Sequence, residues 1–137
     1  MEHLNVRGMV SKIDEVKTLL SQCQFKVLCL SETFLKESIP DSYFEIQGYE
    51  VVREDRSGKN GGGLLCYIKS CVSYEKLSGI DDQSLCESVT RKSEVSKPFL
   101  VLFIYRPPNS KIEWNENFVR HVERCYKYCE EVIILGD

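Results

Sequence analysis

The feature that most constrains this chain is a set of short, wholly apolar runs, each closed by a polar or charged residue: "FKVLCLSE" (25–32), "LLCYIK" (64–69), "FLVLFIY" (99–105) and "VIILGD" (132–137). Runs of this length without internal alternation read as strands buried on both faces. Before the first, Val10, Ile13, Val16, Leu19 and Leu20 recur at helical spacing, with Ser11 placed to cap the start. Before the last, Trp114, Phe118, Val122, Cys125 and Cys129 mark a second amphipathic helix. "YFEIQGYEVVRED" (43–55) alternates in and out, with Gly48 as a kink or turn, and "VSYEKL" and "LCESVTR" add two more strands. The prolines of "RPPN" stop the ladder after Tyr105. The pattern predicts a mixed α/β fold, with hairpin-like neighbours and helices covering the sheet.

Residues 1–137 have the length of one ordinary domain, and no repeat or linker divides them. A net charge of −3 argues against a broadly basic, nucleic-acid-coating surface, but says nothing against a local basic groove. No apolar run is long enough to span a bilayer, and "MEHLNVRG" does not read as a secretory signal. Seven cysteines without such a signal point to reduced thiols and to a nuclear or cytoplasmic, not secreted, protein. His121, Cys125 and Cys129 repeat every fourth residue. On a helix the outer two stand roughly 12 Å apart, so no single tetrahedral ion takes all three, and a stripe of small half-buried residues is expected instead.

Glu32 and Asp137 each follow an apolar strand that itself follows an amphipathic helix, and Asn5 precedes the first helix at a further expected strand end. Carboxylates and an amide gathered at one sheet edge suit a hard cation such as Mg²⁺. The same residues also serve as helix caps and turn residues with no metal at all. Position alone leaves both readings open.

Five stretches narrow the choice. "LNVRGM", "LCLSETFL", "GYEVVREDRSGKNGGGLLCYI", "FIYRPPNS" and "VIILGD" occur in the order of the motifs of the endonuclease/exonuclease/phosphatase superfamily. Within it the chain most resembles the apurinic-type endonuclease domain of non-LTR, jockey-like retrotransposons. The resemblance implies the N-terminal part of a four-layer α/β sandwich with two packed mixed sheets. It also implies a Mg²⁺ cofactor (Mn²⁺ as substitute), DNA as partner, and a downstream reverse transcriptase in the parent element. On this resemblance Glu32 matches the acidic metal ligand and Asn5 the asparagine of the metal and phosphate site. Tyr105 matches a tyrosine on the scissile phosphate, and Asp137 the aspartate that positions the attacking water. The family continues past its Gly-Asp pair to an asparagine and later an Asp-His pair. Residues 1–137 are therefore expected to be the first part of a longer domain, cut within a motif.

There are departures. Arg7 stands where apurinic-type enzymes often carry an acidic residue. No residue matches the catalytic histidine, since His3 and His121 fall in no matching motif and are expected at the surface or its boundary. Among the basic residues near the glycine run, Arg53, Arg56 and Lys59, Arg56 is the candidate for a DNA phosphate. The competing reading is a solvated hairpin with an Asp55–Arg56 surface pair. Arg106, beside Tyr105, is a second phosphate candidate. The expected function is an incomplete copy of a Mg²⁺-dependent DNA-nicking phosphodiesterase, inactive as the isolated chain. The alternatives are a superfamily phosphatase or phosphodiesterase acting on nucleotides or inositol phosphates, and a non-catalytic remnant or binding protein.

Overall fold

The computed structural model describes residues 1–56, 61–76, 87–93 and 99–137. The expected contribution of Lys59, and parts of the "VSYEKL" and "LCESVTR" stretches, lie outside the described residues. Two compact units, Met1–Val72 and Ser73–Asp137, are each built around one four-stranded mixed sheet.

In the first unit, β1 (Glu2–Asn5) leads through α1 (Ile13–Cys23) into β2 (Val27–Ser31), and β3 (Tyr49–Glu54) and β4 (Leu64–Lys69) complete the sheet. The order is β1-β2-β4-β3, with β1 and β2 parallel and the other pairs antiparallel. One face of α1, Ile13, Val16 and Leu20, joins Leu28, Leu30, Leu65, Tyr67 and Phe44 in a single core. Each such side chain contributes roughly 1.5–3 kcal/mol of burial. Tyr67 is seated in this core by a hydrogen bond from its hydroxyl to the Phe44 carbonyl at 2.9 Å, and burial pushes its phenol pKa up.

The helix departs from expectation at its start. Val10–Lys12 form a 3-10 turn and no side chain caps α1, so Ser11 is not a cap. The tighter turn shifts the phase of the apolar face. Val10 is left exposed and Met9 is buried in its place. The alternating stretch at 43–55 likewise yields a strand only from Tyr49, after Gly48 turns the chain with φ +85°.

The second unit contains β5 (Tyr74–Lys76), β6 (Glu87–Ser93), β7 (Leu100–Tyr105), α2 (Ile112–Tyr128) and β8 (Val132–Gly136). Its sheet order is β5-β6-β7-β8, with β7 and β8 parallel across α2. Leu100, Leu102 and Cys125 form its core, with Phe118, Val122, Cys129 and Val132 packed against them. The expected stripe on the second helix is thus present. His121, expected at the surface or its boundary, is buried on this inward face, while His3 is half-buried as expected.

Burial along the strands follows position in the sheet. β2, β4 and β7 each lie between two neighbours and are buried almost throughout. β8 has only β7 beside it, and Ile134 is exposed, so "VIILGD" is an edge strand and not one covered on both faces. The six described cysteines are free. Cys29 and Cys66 face each other across β2 and β4 with their sulfurs 3.4 Å apart, and burial with this contact raises the Cys29 pKa well above its usual value.

Candidate functional site

Each sheet contains one parallel pair joined by a helix, and the carboxyl ends of such pairs are where α/β proteins place ligands. The sequence candidates stand at these ends. In the first unit Asn5 ends β1 directly opposite Ser31, the last residue of β2, and Glu32 follows it. In the second unit Tyr105 ends β7, Arg106 follows, and Asp137 comes immediately after β8.

The loops in the first unit are tied together strand by strand. The Val6 N–H donates to the Ser31 carbonyl at 3.0 Å, Gly8 to Glu32 at 2.8 Å and Met9 to Thr33 at 2.8 Å. From the other side Thr33 donates to Gly63 at 3.3 Å and Phe34 to Gly62 at 3.0 Å. Glu32 is therefore held between the β1 loop and the glycine run. Its backbone is left-handed, with φ +54°. His3 adds a side-chain link, its Nε2 lying 3.0 Å from Ser31 Oγ.

The glycine run approaches the Glu32 loop closely. A Cβ on Gly63 would stand 2.6 Å from Thr33 Oγ1, and its φ is +87°. Gly63→Ala combines this clash with left-handed strain and is expected to cost the first unit roughly 1–3 kcal/mol. Chemical denaturation checks the cost. Faster hydrogen exchange at the Thr33 and Phe34 amides would place it in this loop.

Arg56 lies at the neck of the same hairpin, its backbone nitrogen 3.9 Å from that Gly63 position. Asp55, one half of the alternative Asp55–Arg56 surface pair, is gripped through both oxygens by the Arg53 guanidinium. Arg53 also binds Asp41 and the Ile39 and Lys36 carbonyls at 3.0, 2.7 and 2.8 Å. The Asp55 hydrogen bond, against the opposing cost of burial, pushes its pKa up. Arg53 therefore anchors the 36–41 loop to β3.

At the second strand pair the Arg106 N–H donates to the Asp137 carbonyl at 2.8 Å, and the Asp137 N–H to the Ile104 carbonyl at 3.2 Å. The Arg106 guanidinium lies 5.6 Å from the centroid of the Trp114 ring. That ring stacks on Phe118 at 5.5 Å and 19°. Arg106 is thus exposed, charged and held at both its backbone and its tip, as a phosphate contact requires. Tyr105 is buried, with 5% exposure, and Asp137 is exposed. Within its own unit, each set of candidates is brought together: Asn5, Glu32 and the Arg56 neck in one, Tyr105, Arg106 and Asp137 in the other.

The donors of the first set fit a hard divalent cation. Glu32 supplies a half-buried carboxylate, and Asn5 an exposed amide on the adjacent strand end. The Thr33 hydroxyl is buried with no hydrogen-bond partner among the described residues and faces Gly63. No group of three or more His, Cys, Asp or Glu side chains comes together among the described residues. One carboxylate with neutral oxygens, completed by water and phosphate, is the Mg²⁺ pattern and not a closed transition-metal cage.

The fold has solved counterparts. The catalytic domain of APE2 from Xenopus laevis matches with a TM-score of 0.71 at 19% identity, covering 99% of this chain and 56% of that one. The 3'-5' exonuclease NExo from Neisseria meningitidis matches with a TM-score of 0.70 at 19% identity, covering 99% and 56%. The endonuclease domain of TRAS1, a telomere-specific non-LTR retrotransposon, matches with a TM-score of 0.65 at 11% identity, covering 98% and 56%. The fold is that of the endonuclease/exonuclease/phosphatase superfamily. The chain spans just over half the length of these superfamily structures. No protein-family model and no curated protein matches it. Its mixed α/β architecture of two sheets and two helices agrees with the fold class expected from the motifs. Three contributors to the candidate site carried no sequence signal: the Gly62–Gly63 carbonyls that hold the Glu32 loop, the His3 contact to Ser31, and the Trp114 ring under Arg106.

Proposed function

We propose that this chain carries the metal-binding and part of the DNA-binding apparatus of a Mg²⁺-dependent, DNA-nicking phosphodiesterase of the retrotransposon type. The observation that carries the proposal is the placement of Glu32 and Asn5 at the carboxyl ends of one parallel strand pair, in a fold shared with DNA-processing enzymes. Glu32 and Asn5 would hold the cation, which supplies charge neutralisation at a phosphate when bound. Arg106, braced on Trp114, contacts a DNA phosphate, and Arg56 provides a second cationic contact. Asp137 is assigned to orienting a water. No residue matches the superfamily's catalytic histidine, and cooperating sets lose most of their rate with one member. Cation and DNA binding are the activities assigned to residues 1–137. A reverse transcriptase companion rests on the resemblance to retrotransposon sequences.

Duplex binding measured by fluorescence anisotropy across a salt series tests the DNA assignment. Each phosphate contact adds about 0.9 to the slope of log affinity against log salt. Arg106→Ala is expected to weaken binding and to flatten the slope by about one unit. An unchanged slope would remove Arg106 from the interface, and a parent chain with no salt-dependent affinity for DNA would contradict the proposal.

A further inference from the structure

Among the described residues only four non-glycine positions have a left-handed backbone: Arg7, Gln24, Glu32 and Phe34. Gln24 closes α1, where such a conformation is ordinary. The other three lie in the two hydrogen-bonded loops at the ends of β1 and β2. Bulky side chains rarely adopt this conformation, and where they do, the strain marks ligand-handling segments.

Phe34 is the bulkiest of the three, with φ +55°. Its neighbours Thr33 and Leu35 are buried, yet its own side chain is 45% exposed. The ring is flanked by glycines. A Cβ on Gly8 or on Gly61 would stand 3.6 Å from it, so neither flank carries a side chain that could cover it. The backbone beneath is fixed, with the Phe34 N–H donating to the Gly62 carbonyl and the Glu32 carbonyl accepting from Gly8. A scattered surface phenylalanine is ordinary in itself. A strained one between two glycines, two residues from the candidate cation ligand, is an exposed ring on a constrained backbone.

We infer that Phe34 is a stacking contact for a nucleobase of the DNA strand handled at the Glu32 loop. The inference rests on the DNA-binding reading and adds the residue that grips the strand by its bases. A flat aromatic face takes any base, so the contact gives affinity without sequence preference. A backbone already held by its hydrogen bonds loses little conformational freedom on binding.

The probes are a short oligothymidylate and a deoxyribose-phosphate oligomer of equal length without bases, each titrated by anisotropy in Mg²⁺. Phe34→Ala is expected to weaken oligothymidylate binding about five- to a hundredfold and to leave the baseless oligomer within about twofold. Phe34→Trp should retain the affinity, and its added indole emission should be quenched by oligothymidylate but not by the baseless oligomer. Equal loss on both probes would make Phe34 a support of the loop only, and no loss on either would remove it from the interface. Added emission in Phe34→Trp that is indifferent to oligothymidylate would also overturn the inference. A parent chain that binds neither oligomer defeats the DNA-binding reading itself and this inference with it, an outcome distinct from loss confined to the variants.

Discussion

Gly136→Ala is expected to destabilise the second unit by about 2–4 kcal/mol and to detach the end of β8 from β7. Gly136 pairs with Ile104 in the parallel ladder, and a Cβ there would lie 1.8 Å from the Ile104 carbonyl oxygen and 2.7 Å from its carbon. Both are backbone atoms of a buried central strand, so no side-chain rotation relieves the overlap. The strand end must move. The Ile104 carbonyl also accepts the Asp137 N–H, and the Asp137 carbonyl accepts the Arg106 N–H, so the displacement reaches both site candidates. Hydrogen exchange reads this directly. The Arg106 and Asp137 amides should lose protection in Gly136→Ala, while the Val6 and Gly8 amides of the first unit keep theirs. Unchanged protection at Arg106 would mean that the ladder absorbs the methyl group and that Gly136 has another purpose.

The parts of the fold legible in the sequence were those fixed by local pattern. "VLCLS", "LLCYIK" and "LVLFIY" carry continuous apolar runs because each is flanked by strands on both sides. The run in "VIILGD" looks the same, yet β8 is an edge, since strand order is a property of the sheet and not of the run. Helix phase failed at Val10 because the 3-10 turn before α1 keeps no 3.6-residue period. In the candidate site, the strand-end positions of Glu32, Asn5, Arg106 and Asp137 were legible from the runs and motifs they close. What holds them was not, because it joins loops far apart in the chain, Thr33 to Gly63 and Gly8 to Glu32. Arg56 was singled out from Arg53 and Lys59 as the phosphate candidate near the glycine run, with no sign of what Arg53 holds. The structure gives Arg53 four partners, in the 36–41 loop and at Asp55. Trp114 fitted the apolar face of α2 and gave no hint that it also underlies Arg106.

The second large effect belongs to Glu32. Its carboxylate is the one anionic donor assigned to the cation, the others being the Asn5 amide, water and phosphate. Glutamine keeps the size of the side chain and removes the charge, and hard-cation affinity falls steeply with the number of anionic ligands. The left-handed backbone at Glu32 and its hydrogen bond from Gly8 are main-chain features that the substitution leaves in place. The loss therefore reports on the ligand and not on the loop. Titration of Mn²⁺ against the chain, followed by electron paramagnetic resonance of the free ion with Mg²⁺ as competitor, is the measurement that tests the account most directly. The parent should bind a single Mn²⁺ displaceable by Mg²⁺, and Glu32→Gln should weaken it at least about tenfold, a loss of about 1.4 kcal/mol or more. Glu32→Gln binding Mn²⁺ as tightly as the parent would contradict the assignment of this loop as a cation site.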